Sequence, residues 1–180
     1  MLEIAITGRE FWDSSKEEFV YFEGISLRLE HSLISVSKWE AKYKRSFIAD
    51  GPNTANEIID YVKFMSLDKI KDERSLSLLT ENDFEKILAY INDSMTATKI
   101  TNSTPSKKGG HKLTSEEIYY YMTALNIPFS CEKWHLNRLL TLIDIASLKN
   151  APPKKMGKGD ILRQNAALNA ARRAKAHSHG

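Results

Sequence analysis

Cysteine is almost absent: 180 residues hold one, Cys131. That excludes an internal disulfide framework and a zinc cluster built on paired thiolates. Long apolar runs are missing too. No stretch approaches the roughly 18 apolar residues that cross a bilayer as a helix, so no membrane association is expected. The opening MLEIAITGRE lacks the basic start and apolar stretch of a secretory signal, and an intracellular site of action is the simplest expectation. Net charge is small, formally +3 at pH 7. It is unevenly spread, however. Over 1–24 the acids Glu3, Glu10, Asp13, Glu17, Glu18 and Glu23 outnumber Arg9 and Lys16. Over 154–180 the bases Lys154, Lys155, Lys158, Arg163, Arg172, Arg173 and Lys175 stand against Asp160 alone. Such a tail suits an acidic partner, nucleic acid or simple solvation.

What is present is a globular composition. The apolar fraction of 42% is too high for a wholly disordered chain. A length of 180 residues suits one domain or two small ones. The stretch 112–153, KLTSEEIYYYMTALNIPFSCEKWHLNRLLTLIDIASLKNAPP, carries the longest apolar run. Thr114, with Glu117 three residues on, forms a capping box. Ile118, Tyr121, Met122 and Leu125 follow at helical spacing, and Asn126 and Pro128 end the helix. Ser130 is a second N-cap candidate, with Glu132 placed for the helix dipole. Leu136, Leu139, Leu140, Ile143 and Ala146 line one face of the helix that follows, and Leu142, Ile145 and Leu148 widen it. A stripe this broad asks for contacts on more than one side. The pair reads either as a core helical hairpin or as a hairpin with a docking face for a partner helix. The candidate partner-binding residues are Tyr120, Trp134, Leu142, Ile145 and Leu148.

The rest of the chain reads as α+β, mainly helical with a small N-terminal antiparallel sheet. Strands are expected at 2–6, 19–22 and 26–30, with turn chemistry at 13–15 and a turn at Glu23-Gly24. Helical spacing is clear over 32–45, 54–65 and 80–91. Residues 96–111, rich in Ser, Thr, Lys and Gly, read as a flexible linker or hairpin tip. They are expected to part an α+β region, 1–95, from the helical hairpin, 112–153. A basic C-terminal helix and tail, 154–180, closes the chain, with Asp160 as its cap.

Catalytic, cofactor and metal residues are not assigned. Cys131 and His135 lie four apart on what reads as one helix, but two ligands do not make a metal site. His31 and His111 can join them only through folding, and no acid or oxyanion motif accompanies them. Lys107-Lys108-Gly109-Gly110 lacks the preceding strand and the residue order of a phosphate loop. The basic tail has no interleaved aromatics to stack bases, so nucleic-acid binding is a minor reading.

Four stretches carry a resemblance: EHSLISVSKWEAKYKRSF (30–47), SEEIYYYMTALNIPF (115–129), WHLNRLLTLIDIASLKNAPPKKM (134–156) and RQNAALNAARRAK (163–175). They resemble small proteins from the tail-gene region of tailed bacteriophages. The resemblance implies a non-enzymatic tail assembly chaperone that binds the aggregation-prone tape measure protein, or other tail proteins, in the host cytoplasm. The second expectation is a structural virion component, a connector or tail-completion subunit, which would form homo-oligomeric contacts.

Overall fold

The computed structural model describes residues 1–98, 112–151 and 157–176. They form two compact units, Met1–Lys149 and Asn150–Gly180. The first unit opens with four short strands, β1 (Leu2–Ile6), β2 (Arg9–Asp13), β3 (Glu18–Phe22) and β4 (Ile25–Leu29). β1 pairs with β4 and β2 with β3, both antiparallel. Partners keep one register throughout, from Leu2 opposite Leu29 to Ile6 opposite Ile25, and from Arg9 opposite Phe22 to Asp13 opposite Glu18. The two small sheets are therefore halves of one long hairpin, bent where Thr7-Gly8 faces Glu23-Gly24.

Two glycines allow that bend. A Cβ on Gly8 would lie 2.7 Å from the Phe22 carbonyl oxygen, and one on Gly24 would lie 2.6 Å from that of Ile6. Only a residue without a side chain permits so close an approach. The sequence predicts a chain reversal at Glu23-Gly24 and no strand over 9–13. The structure corrects both, because Gly24 bends a ribbon that continues. The reversal sits at 14–17, where Asp13 Oδ1 accepts from the Ser15 amide at 2.9 Å and its hydroxyl at 2.6 Å. Glu17 there adopts a left-handed conformation, φ 53°.

The helices follow capping signals closely. α1 (Leu33–Tyr43) starts at Ser32, whose Oγ accepts the Ser35 amide. A short α2 (Phe47–Asp50) leads to α3 (Ala55–Met65), where Thr54 accepts the Glu57 amide. A 3₁₀ turn, Glu73–Leu78, precedes α4 (Glu81–Asn92), which carries a full Thr80–Asp83 capping box. In α5 (Ser115–Ala124) the Glu117 carboxylate accepts the Thr114 amide at 3.0 Å. Ser130 is not a helix cap. Residues Phe129–Lys133 form a 3₁₀ turn, Trp134 is extended, and α6 (Leu136–Asn150) begins later. The reason is tertiary: the Leu136 amide donates to the His31 carbonyl at 2.7 Å, so a distant backbone group stands where a local cap was expected.

The core joins Leu27, Leu29, Leu33, Val36, Trp39, Val62 and Met65 to Ile118, Met122, Leu136 and Leu139. It corrects the expected parting at 96–111. α5 lies against α1, and residues on both sides of 99–111 share one core within the unit Met1–Lys149. The Glu40 carboxylate ties the segments together. Oε1 accepts the Phe47 amide at 2.8 Å and Oε2 the Ser115 amide at 2.7 Å, so one buried carboxylate serves the first turns of α2 and α5. Of the expected linker, 96–98 show no helix or strand, and 99–111 lie outside the described residues.

The second unit holds α7 (Lys158–Ala176), which buries none of its residues. It begins before Asp160, which lies in its first turn instead of capping it. Among the described residues no helix is long and apolar enough to cross a membrane.

Two substitutions test the bend and the tie. Gly24→Ala should lower unfolding free energy by about 1–3 kcal/mol through overpacking against backbone. Glu40→Ala orphans the buried Ser115 amide and the half-buried Phe47 amide, and should cost about 1–3 kcal/mol for the first and less for the second. Urea midpoints with unchanged slope check both.

Candidate functional site

The partner-binding candidates are scattered over the first unit. Tyr120, on α5, is 68% exposed and rests edge-on against Tyr121, with ring centroids 5.8 Å apart. Trp134 precedes α6 and is half-buried, with the Arg138 guanidinium 4.4 Å from its ring centre. Leu142, Ile145 and Leu148 share a flank of α6, since a spacing of three keeps them on one side. Leu142 and Ile145 are half-buried there, and Leu148 is 53% exposed. Within α6 only Leu136, Leu139 and Ile143 are buried. Leu140, Leu142 and Ala146 pack partly buried against the core, so Ile145 and Leu148 are the part of the apolar stripe left nearest the surface.

A second apolar surface was not legible in the sequence. On the outer half of the bent hairpin Phe11, Trp12, Phe19 and Tyr21 are all exposed, Phe19 by 70%. Trp12 and Phe19 are cross-strand neighbours packed edge-to-face at 5.0 Å. The available signal is a symmetry of aromatic pairs about the 14–17 reversal, REFWD before it and EFVYF after it. Adjacent aromatics at Phe11-Trp12 obscure the strand alternation that would reveal it.

The histidines come together as structure. Cys131 sits in the 3₁₀ turn and His135 before α6, so they do not share a helix. Both are buried. His135 accepts the Asn137 amide at Nδ1, 3.3 Å, which leaves Nε2 to donate to the Tyr90 carbonyl at 2.9 Å. Folding does bring His31 to His135, with ring centroids 5.1 Å apart. His31 Nδ1 lies 2.5 Å from the Tyr61 hydroxyl. Burial holds the Tyr61 phenol well above its ordinary range, so it keeps its proton and donates. Burial, with the nearby His135, lowers the His31 pKa to about 3. These buried ring contacts and hydrogen bonds link the β4–α1 junction to α3, α4 and the start of α6. Among the described residues no group of three or more His, Cys, Asp or Glu could hold a metal. His111, His177, His179 and Lys107–Gly110 lie outside them.

Of the basic tail, Lys154 and Lys155 also lie outside the described residues. Lys158, Arg163, Arg172, Arg173 and Lys175 are on α7. At about 100° per residue they point around the whole circumference and form no single basic face. Ile161 and Leu168 share one side of that helix and are exposed. No family model, curated protein or solved structure matches the chain.

The buried His31 has a pH consequence. Its folded pKa lies below the ordinary value of 6.5. Below that value the unfolded chain takes up a proton that the folded chain refuses. The stability is therefore fully present above pH 6.5 and is lost progressively toward pH 3. Chemical unfolding should show a loss of about 2 kcal/mol between pH 7.5 and 5 from this group. His31→Gln should flatten that part of the profile.

Proposed function

We propose that this chain is a non-enzymatic protein that works by covering apolar surface on another polypeptide, a phage tail assembly chaperone whose client is the tape measure protein. The observation that carries the reading is the flank of α6. Beyond the side chains that α6 packs into or against the core, Leu142 among them, it carries Ile145 half-buried and Leu148 exposed on the same flank. Half-buried aliphatic side chains on a rigid helix suit an amphipathic client helix laid alongside, with anchors at i, i+3 and i+4 spacing. The resemblance of four stretches to tail-region proteins supplies the client. Host cytoplasm is the corresponding place of action.

A second reading is a structural virion component, such as a connector or tail-completion subunit. The projecting hairpin favours it, because its strands β2 and β3 have no further strand partner among the described residues. Free strand edges are ready contacts between subunits. Nucleic-acid binding is the least supported reading, given the dispersed bases of α7.

Co-expression tests the first reading. The tape measure protein from the same genome should gain soluble yield and co-purify with the chain. Ile145→Glu combined with Leu148→Glu should abolish both effects while the fold, followed by circular dichroism, persists. A client that stays insoluble beside the wild-type chain contradicts the proposal. Mass spectrometry of purified particles separates the readings, since a chaperone is absent from them and a component is present.

A further inference from the structure

The outer hairpin raises a question independent of the α6 flank: what covers its aromatics. Register places Trp12, Phe19 and Tyr21 on the ribbon face that, before the bend, buries Ile4, Ile6, Leu27 and Leu29. Beyond the bend that face is uncovered. The opposite face, with Val20 and Phe22, is the half-buried one, and the Arg74 guanidinium lies 5.3 Å from the Phe22 ring. The ribbon is thus held by one face and offers an aromatic face on the other. Its tip is acidic. Glu10, Glu17 and Glu18 are exposed beside the aromatics, against Arg9 and Lys16.

A groove of about 490 Å³ lies at the bend itself. The half-buried Ile25 and Ile70 supply its apolar lining, over the buried Leu27, and Tyr21 and the 68–72 segment its walls. Asp68 is held by Arg28 at 2.6 Å and Asp72 by Arg74 at 2.8 Å. Those pairings leave Lys69 and Lys71 as the exposed cations on the groove, with Glu23 also present. An acidic aromatic tip and an apolar groove bearing lysines are complementary.

The two cannot meet within one chain. Five paired residues hold the tip roughly 15 Å from the bend, on a ribbon packed along one face. Two tips meeting face to face would oppose Glu17 and Glu18 to themselves. We propose that the hairpin tip of one copy docks in the bend groove of a second copy. Trp12 and Phe19 lie against Ile25 and Ile70, and Glu17 and Glu18 face Lys69 and Lys71. The contact is head-to-tail, so it propagates to a ring or an open chain of subunits and does not stop at a symmetric pair.

Sedimentation of the full chain over a concentration series tests this. Wild type should assemble beyond the dimer, and more weakly in high salt. Lys69→Glu with Lys71→Glu should weaken assembly roughly tenfold or more, as like charges then meet at the contact. Adding Glu17→Lys and Glu18→Lys to that variant should restore it. Trp12→Ser with Phe19→Ser should leave a folded monomer. A wild type that stays monomeric, a dimer that ignores the lysine reversals, or a charge swap without rescue would each overturn the proposal. None of these results bears on client binding by α6, which the co-expression experiment reads separately.

Discussion

Glu40 is where the separate parts of this chain become one body. It is a charged group on the inner side of α1, buried, with each carboxylate oxygen committed to the first turn of a different helix. A buried carboxylate left alone would cost several kcal/mol, so α2 and α5 must be in place for α1 to keep it. The His31 carbonyl does the same for α6 by accepting the Leu136 amide. The Glu40–Ser115 and His31–Leu136 bonds run between residues on opposite sides of the 99–111 stretch. The first unit therefore closes around one core.

That closure decides what is left at the surface. With α1 committed to α3 and α5, α6 buries Leu136, Leu139 and Ile143 and packs Leu140, Leu142 and Ala146 partly buried beside them. On the far flank of α6 Ile145 is half-buried and Leu148 exposed. At the other end, the glycines at the bend keep the hairpin paired, and its outer half goes beyond the reach of the core helices. Two apolar surfaces remain, one aliphatic on a helix and one aromatic on a ribbon. Their chemistry differs, and so do the partners that suit them. An aliphatic helical flank fits another helix, whereas an acid-edged aromatic tip fits an apolar groove bearing cations.

Much of the fold was legible because local rules and the final structure agree. Ser32, Thr54, Thr80 and Thr114 each start a helix where side-chain chemistry says one should start, and Asn126 stands in the left-handed conformation that ends α5. The misreadings occur where distance in sequence is large. Ser130 looks like a cap, but His31 lies about a hundred positions away and sets the start of α6. Gly24 looks like a turn, yet it serves a close approach to the Ile6 carbonyl that only the register discloses. A Ser/Thr/Lys/Gly-rich stretch looks like a boundary, although buried contacts on either side belong to one core. Of the candidate site, the excess apolar width of α6 was visible as periodicity. The aromatic hairpin was not, because aromatics on both faces of a two-stranded ribbon carry no alternation.

The central claim is that the outer flank of α6 is a working surface and not merely unfinished packing. Methyl NMR of the full chain, titrated with the tape measure protein proposed as its client, tests it most directly. The account predicts that the Leu142, Ile145 and Leu148 methyls shift or broaden on binding while those of Leu33, Val36 and Leu139 keep their positions. Binding that leaves the α6 flank methyls unmoved would contradict it.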